Sequence, residues 1–317
     1  SPDYASGFQI LGVEGGESTV LRVKNPWQGA ENLVSDLLIL RDGEKIPSGF
    51  AGQVIEGAVE RVVCMSSTYI AMMDALGEVK RVVGVSGLHF VANQYVSENI
   101  DLIGDVGYDG NINYELLVSL DPDLVMIYGV NGSSAMVKKL TELGIPYVYI
   151  GEYLEESPLG KSEWMVAIGE ILGLRDKAVE VFGEIPRRYG EIKRAIGSQI
   201  EKRVKVMINT PYLDTWYMAS TSSYVARLIK DAGGEYIYRD NNSNKSLPID
   251  IEQAAVLASE ADVWINVDGI NSIEELSSRF PKFADIPCVL SGQVYKNDRR
   301  TTIGGGNDFW ESGVVYP

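Results

Sequence analysis

Histidine is nearly absent from this chain: there is one, His89, beside two cysteines, Cys64 and Cys288, in 317 residues. A single imidazole excludes every metal site built on two or more histidines. It also leaves His89 as the only base available to a Ser-His-Asp triad. Two cysteines exclude a disulfide scaffold and a Cys-rich metal site. Both lie in apolar runs that read as strands, which points to buried free thiols rather than a disulfide. Positive charge is also scarce, with 28 Lys plus Arg against 44 Asp plus Glu and a net charge of −16. Nucleic-acid binding needs clustered cations to neutralise phosphates, so this balance argues against such a partner. No run approaches about 20 consecutive apolar residues, so no transmembrane helix is expected. The start, Ser1-Pro2-Asp3, shows no signal peptide, and a trimmed chain would look the same. What is present is a normal apolar fraction, 45%. With this length it predicts a globular protein of about two domains or one large α/β unit.

Residues 1–60 read as a β-rich N-terminal extension of hairpins. Val20–Val23 alternates as a strand does, Leu37–Leu40 is a compact apolar run, and Gly15-Gly16 and Asp42-Gly43 mark turns. Asn25-Pro26-Trp27 falls in a loop, because Pro26 cannot donate to a ladder. From residue 61 strands alternate with helices. Arg61–Met65 is a strand, Ser66–Thr68 caps a helix over Tyr69–Leu76, and Gly77 ends it. Arg81–Val85, Leu124–Tyr128 and Tyr147–Ile150 are further strands. Ile112–Leu120 and Ser134–Leu143 are helices. Such alternation gives an α/β fold with mainly parallel sheets.

Residues 161–200 read as a helical connection without a strand. Trp164, Ile168, Ile171 and Leu172 share one face. Val181, Phe182, Ile185, Tyr189, Ile192 and Ile196 make a second stripe, which Pro186 should kink or break. From 203 the alternation resumes, with strands at Val204–Ile208 and Val263–Val267, helices at Ser223–Ala232 and Asp250–Ala258, and a last strand or strand pair within Val289–Tyr295. The expected division is therefore an extension (1–60), an N-terminal α/β lobe (61–160), the connection (161–200) and a C-terminal α/β lobe (201–317).

The two α/β regions repeat a pattern. Asn113-Tyr114-Glu115 through Asp121-Pro122-Asp123-Leu124-Val125 and Asp250-Ile251-Glu252 through Asp262-Val263-Trp264 each have a polar start and a Glu in the first helical turn. In each, an apolar helix face and a break follow, and then a buried strand opened by Asp. Two such lobes predict a clamp with a cleft at the carboxyl ends of the strands.

With Arg61–Ser66, Leu76-Gly77, Val82–Val85 and Leu140–Pro146 in the same order, the chain resembles the class III periplasmic substrate-binding proteins of ABC importers for iron-siderophores, vitamin B12 and haem. The likeness covers roughly residues 61–317, by the order and spacing of the motifs. Residues 1–60 depart from the usual pattern, and the chain stops at Pro317 where the family continues into a helix. The resemblance implies a binding protein without catalysis and without a resident cofactor. Its ligand would be a metal chelate, a ferric siderophore foremost, with a corrinoid or haem as alternatives. Its partner would be an ABC permease of the inner membrane, and the protein would act as a monomer, periplasmic or extracytoplasmic, with a lipid anchor as one option. By position in the repeat, Glu115 and Glu252 would dock Arg residues of the permease; the alternative is that each Glu only favours its helix N-terminus.

The strand-end loops supply the candidate ligand contacts. Tyr128 follows a strand, with sheet-edge packing as its alternative. Tyr108 lies in the Gly-rich run 104–110, which otherwise reads as a tight turn. Tyr212 and Trp216 follow the first strand of the second lobe and suit a bulky apolar ligand; Trp216 is the preferred contact, and a hydrophobic cluster under the loop is the rival. Arg299 and Arg300 suit carboxylate, catecholate or phosphate oxygens, or form a solvated pair. His89 reads as an axial ligand to haem iron, a chelate contact, or a structural histidine. No direct metal site is expected. Gly304-Gly305-Gly306 lacks the Lys-Ser/Thr of a phosphate loop and reads as a flexible loop. An enzyme is the competing class, yet no G-x-S-x-G elbow occurs, no G-x-G-x-x-G follows a strand, and Glu155-Glu156 and Glu274-Glu275 are adjacent pairs on surface-like segments. An adhesion or structural lipoprotein is a third class that the extension permits.

Overall fold

A computed structural model of the chain describes residues 1–317 except 109, 131, 133, 134 and 244. In chain order the elements are β1 (Phe8–Gly12), β2 (Thr19–Lys24), β3 (Val34–Leu40), β4 (Gln53–Glu56), β5 (Val62–Cys64), α1 (Ser67–Ala75), β6 (Val82–Val85), α2 (Gln94–Glu98), β7 (Gly104–Asp105), β8 (Gly107–Tyr108), β9 (Asn111–Ile112), α3 (Tyr114–Ser119), β10 (Leu124–Ile127), α4 (Ala135–Leu143) and β11 (Tyr147–Tyr149). There follow α5 (Pro158–Ile171), α6 (Arg175–Gly197), β12 (Val204–Ile208), β13 (Thr215–Met218), α7 (Tyr224–Asp231), β14 (Gly234–Tyr236), β15 (Leu247–Asp250), α8 (Ile251–Ala258), β16 (Val263–Ile265), α9 (Ile273–Arg279), α10 (Pro287–Leu290), β17 (Val294–Tyr295) and α11 (Asp308–Ser312). Ser134, the expected start of the helix ending at Leu143, and Asp109, in the Tyr108 loop, lie outside the described residues.

The chain divides into two compact units. The first holds Ser1–Arg187 with Thr301–Pro317, the second Arg188–Arg300. The first contains a parallel sheet of order β11-β10-β5-β6-β7. Val62–Cys64 and Leu124–Ile127 have no exposed surface. Strands covered on both faces need unbroken apolar runs, as these are. Ser66 caps α1 by accepting a hydrogen bond from the Thr68 N–H. Burial pushes the Cys64 thiol up to about 12, so it is an inert apolar side chain.

Residues 1–60 form a second sheet, β1-β2-β3-β4, with β1 to β3 antiparallel and β4 parallel to β3. The strands were legible; their independence was not. Phe8, Leu21, Val23, Leu37 and Ile39 share one apolar core with β5 and β10. Buried carboxylates on and just before α5 fix the segment. Glu163 accepts from the backbone N–H of Asp3, Tyr4 and Ala5 at 2.6–2.7 Å. Glu155 accepts from the N–H of Ser6 and Gly7, the Ser6 hydroxyl and the Trp164 indole. Glu170 accepts from the Thr19 hydroxyl at 2.6 Å and pairs with Arg41. A carboxylate is all acceptor, so one buried Glu can satisfy several N–H groups at once. Glu155 is thus not on a surface segment: it is 4% exposed, while its neighbour Glu156 faces solvent.

The expected helical connection also divides differently. Trp164, Ile168, Ile171 and Leu172 are buried as their spacing predicts, but α5 is buried on nearly all sides and belongs to the first unit. Helix α6 runs unbroken through Pro186. Its first half buries Ala178, Phe182 and Ile185, and that packing offsets the one backbone bond proline removes. The unit boundary falls inside α6, after Arg187. Ile192, in the expected stripe, is exposed.

Thr301–Pro317 returns to the first unit instead of completing the second. The Ser162 hydroxyl donates to the Val314 carbonyl at 2.9 Å, and the Ala92 N–H donates to Glu311 at 2.7 Å. The Gly304–Gly306 turn is not a loose loop. A Cβ at Gly304 would meet the His89 carbonyl at 2.5 Å, and one at Gly306 the Phe90 carbonyl at 2.7 Å. Glycine is there to let two backbones touch.

Burial pushes the Glu311 carboxyl from 4.5 up to about 7, against the pull of the Ala92 N–H. An acid raised in the folded state keeps its proton where the unfolded chain has lost it. Stability should therefore fall as pH rises between those two values. Glu311→Gln keeps an acceptor oxygen without the charge. It should remove that slope and raise stability at pH about 8 by on the order of 2 kcal/mol. Urea midpoints measured across the window check this, and a slope that persists in the variant sinks it.

The second unit holds the sheet β14-β12-β16-β17 and a β13-β15 antiparallel pair. Its order matches β6-β5-β10-β11 of the first unit, as the repeat predicts. The likeness extends to the capping chemistry. Asp123 accepts from the Arg61 N–H at the start of β5, and Asp262 from the Lys205 N–H in β12. Cys288 departs from its expected strand: it is buried in α10, and burial raises its thiol to about 11.

Candidate ligand-binding faces

In the first unit, loops at the carboxyl ends of the parallel strands bring two predicted residues together. His89 and Tyr108 meet with ring centroids 6.4 Å apart, and the Tyr108 hydroxyl lies 3.4 Å from His89 Nε2. Phe90 joins them, 3.9 Å from His89 and 6.2 Å from Tyr108. Phe90 is 49% and Tyr108 41% exposed, so the cluster presents an open aromatic surface. Asp105 builds it: its carboxylate accepts from the N–H of Gly87 and Leu88 on one loop and Gly107 on the next. Gly87 has φ +70°, which turns the chain into the His89 segment. Sequence reading missed Asp105 and Phe90. The available signal was an acid between two glycine-marked turns.

Tyr128 follows β10 and is half-buried. Near the ends of β5 and β11, Glu152 is 3% exposed and accepts from the Thr68 hydroxyl at 2.9 Å. Its Oε2 has no hydrogen-bond partner among the described residues. Burial pushes Glu152 up, and it pushes Lys161 down, while their mutual attraction opposes both shifts. The Tyr69 hydroxyl donates to the Ile150 carbonyl and Tyr153 to that of Gly129. Nothing in the local sequence marked Glu152, because burial of one glutamate among many has no periodic signature.

In the second unit the preferred contact fails. Trp216 is 0% exposed. Its indole N–H donates to the Ile208 carbonyl at 3.0 Å, and its ring packs 5.3 Å from Trp264 and 5.2 Å from Phe283. A side chain with no exposed surface has none to offer a ligand, and the hydrophobic-cluster reading holds. Strand alternation explains it: Trp216 faces inward, so Tyr217 faces out. Tyr212 is 70% exposed. Arg299 and Arg300 are exposed in a turn beyond the Lys296–Asp298 ion pair. Among the described residues no group of three or more His, Cys, Asp or Glu is placed to hold a metal.

Glu115 is exposed in the first turn of α3, which Asn113 caps. Glu252 is exposed in the first turn of α8, capped by Asp250, and pairs with Lys282. An exposed pair of this kind is worth about 0–1 kcal/mol, so it does little to hold Glu252 from another partner.

Comparison with known proteins bears on these faces. A family model described as a periplasmic binding protein matches residues 62–301. An uncharacterised lipoprotein of Methanocaldococcus jannaschii is 27% identical over 283 residues, covering 86% of this chain and 65% of its own length. The chain thus spans just under two thirds of that relative. A periplasmic binding protein of Veillonella parvula superposes with a TM-score of 0.66 at 16% identity, covering 92% of this chain and 94% of its own. The periplasmic haem-binding protein HutB of Vibrio cholerae gives 0.62 at 16% identity, covering 81% and 99%. At such identities these structures speak for the fold.

Proposed function

The chain belongs to the periplasmic binding protein family, and on that premise we propose that it captures a metal chelate, a ferric siderophore foremost, and delivers it to an ABC permease without turnover. The observation that carries the reading is the open cluster of His89, Phe90 and Tyr108 at the strand ends of the first unit. Tyr128 adds a phenol to that face. Within the second unit, taken by itself, Tyr212, Arg299 and Arg300 are exposed and remain candidate contacts. Guanidinium groups offset the negative charge of a catecholate or carboxylate chelate. Haem is the second reading, favoured by the imidazole beside a phenol and by the likeness to HutB, itself a haem-binding protein. An extracytoplasmic place, with a lipid anchor, agrees with the family and with a relative named a lipoprotein. No helix among the described residues is long and apolar enough to cross a membrane. Glu115 and Glu252, equivalent in the repeat, are the proposed contacts to permease arginines.

A titration of the protein with ferric siderophores, haemin and cyanocobalamin tests the reading. One chelate should bind saturably below micromolar concentration and be recovered unchanged. The pair His89→Ala with Tyr108→Ala should weaken it about tenfold or more, as loss of two aromatic contacts implies. Glu115→Ala with Glu252→Ala should spare binding and remove stimulation of the permease ATPase. Chemical conversion of the chelate contradicts the binding role, and full stimulation by the glutamate pair contradicts the docking role.

A further inference from the structure

The sheet β1–β4 lies outside the residues that the family model matches, yet the loop between β2 and β3 reaches the strand-end face of the first unit. Trp27 forms an isolated parallel bridge with Gly129, the residue after Tyr128. The approach is close: a Cβ at Gly129 would lie 2.7 Å from the Pro26 carbonyl and 3.0 Å from the Trp27 Cβ. Any side chain at 129 would push the loop away. The Trp27 ring meets Tyr149 at 5.8 Å with a 59° tilt, and the Tyr153 hydroxyl bonds the Gly129 carbonyl from another strand end. Pro26 and Ala30 are buried and anchor the loop. The Asn25 N–H donates to the Leu33 carbonyl and the Ala30 N–H to that of Trp27. This loop is built, and its tryptophan is only partly used by the core. Trp164, Trp216 and Trp264 have no exposed surface, whereas Trp27 keeps part of its own. Tyr128 precedes Gly129 in the chain and Tyr153 bonds its carbonyl, both half-buried, and Val130 on the other side of Gly129 is 52% exposed. Mere attachment of the N-terminal sheet would be served by hiding the indole fully.

We propose that the 25–30 loop completes an aromatic subsite of Trp27, Tyr128 and Tyr153 on the first unit, which takes the planar aryl or conjugated part of a metal chelate. The inference rests on the reading of the chain as a chelate-binding protein. Anchored rings lose little entropy on binding and offer large flat area, which is what a conjugated ligand needs. The N-terminal sheet is then part of the recognition surface.

The test uses the full chain with haemin, a ferric catecholate and cyanocobalamin. Trp27→Ala should weaken the chelate that the unaltered chain binds by tenfold or more, and Trp27→Phe should restore most of that loss. Hydroxyl-radical footprinting of the unaltered chain needs no variant: oxidation of Trp27 should fall on adding the chelate. Affinity within twofold of the original in a folded Trp27→Ala, or Trp27 oxidation unchanged at saturation, overturns the subsite and leaves the binding role standing. Absence of binding by the unaltered chain to all three probes overturns the binding role and the subsite with it.

Discussion

Trp216→Ala should cost the second unit about 3–5 kcal/mol, the range for deleting a large aromatic from a packed core. The indole fills the space between Trp264 and Phe283 and has no solvent-facing atoms. Its removal also leaves the Ile208 carbonyl short of a donor. A loss of that size is a large fraction of the about 5–15 kcal/mol that typically holds a domain together. The second unit should therefore melt ahead of the first, giving a two-step transition where the unaltered chain has one or a smaller gap. Calorimetry reads this directly. An unchanged melting profile with a lost ligand would restore Trp216 as a contact.

Glu155→Ala should have a comparable effect at the other end of the chain. The carboxylate serves the N–H groups of Ser6 and Gly7, the Ser6 hydroxyl and the fully buried indole of Trp164. Each buried donor left without an acceptor costs about 1–3 kcal/mol. The expected result is a loss of about 3–5 kcal/mol, concentrated on residues 3–10 and their seat on α5. Hydrogen exchange should show early opening of β1 with α5 still protected, and a protease should cut within the first residues before anything else. Glu155→Gln, which keeps one acceptor, should lose less. If β1 exchanges no faster in the alanine variant, the carboxylate is not what holds it.

How much was legible follows from what each feature needed. The parallel strands were readable because double-sided burial demands unbroken apolar runs such as Leu124–Ile127. The repeat was readable because Asp123 and Asp262 recur with their helices. Membership of the first unit was not readable for residues 1–60, for α5 or for the C-terminal segment. Each is joined to it by contacts far apart in sequence: Glu163 to Asp3, Ser162 to Val314, Gly304 to His89. Composition carries no trace of such pairings. At the faces, His89 was singled out by its place after a strand and Tyr108 by its glycine-rich run, and the structure sets the two side by side. Trp216 misled because residue type marks both a ligand platform and a core. Only the inward phase of β13 separates the two, and phase depends on a register that the sequence leaves open.

The return of Thr301–Pro317 to the first unit has a consequence for how the protein is made. A chain emerges from its N-terminus onward, and domains ordinarily fold in that order. Here the first unit begins first and ends last. Ser162 and Ala92 wait for Val314 and Glu311, which are synthesised only after all of Arg188–Arg300. Until then α1 and α5 lack their last cover. The second unit, contiguous from end to end, has every residue it needs before the first does. The half that starts emerging later is the one able to finish earlier.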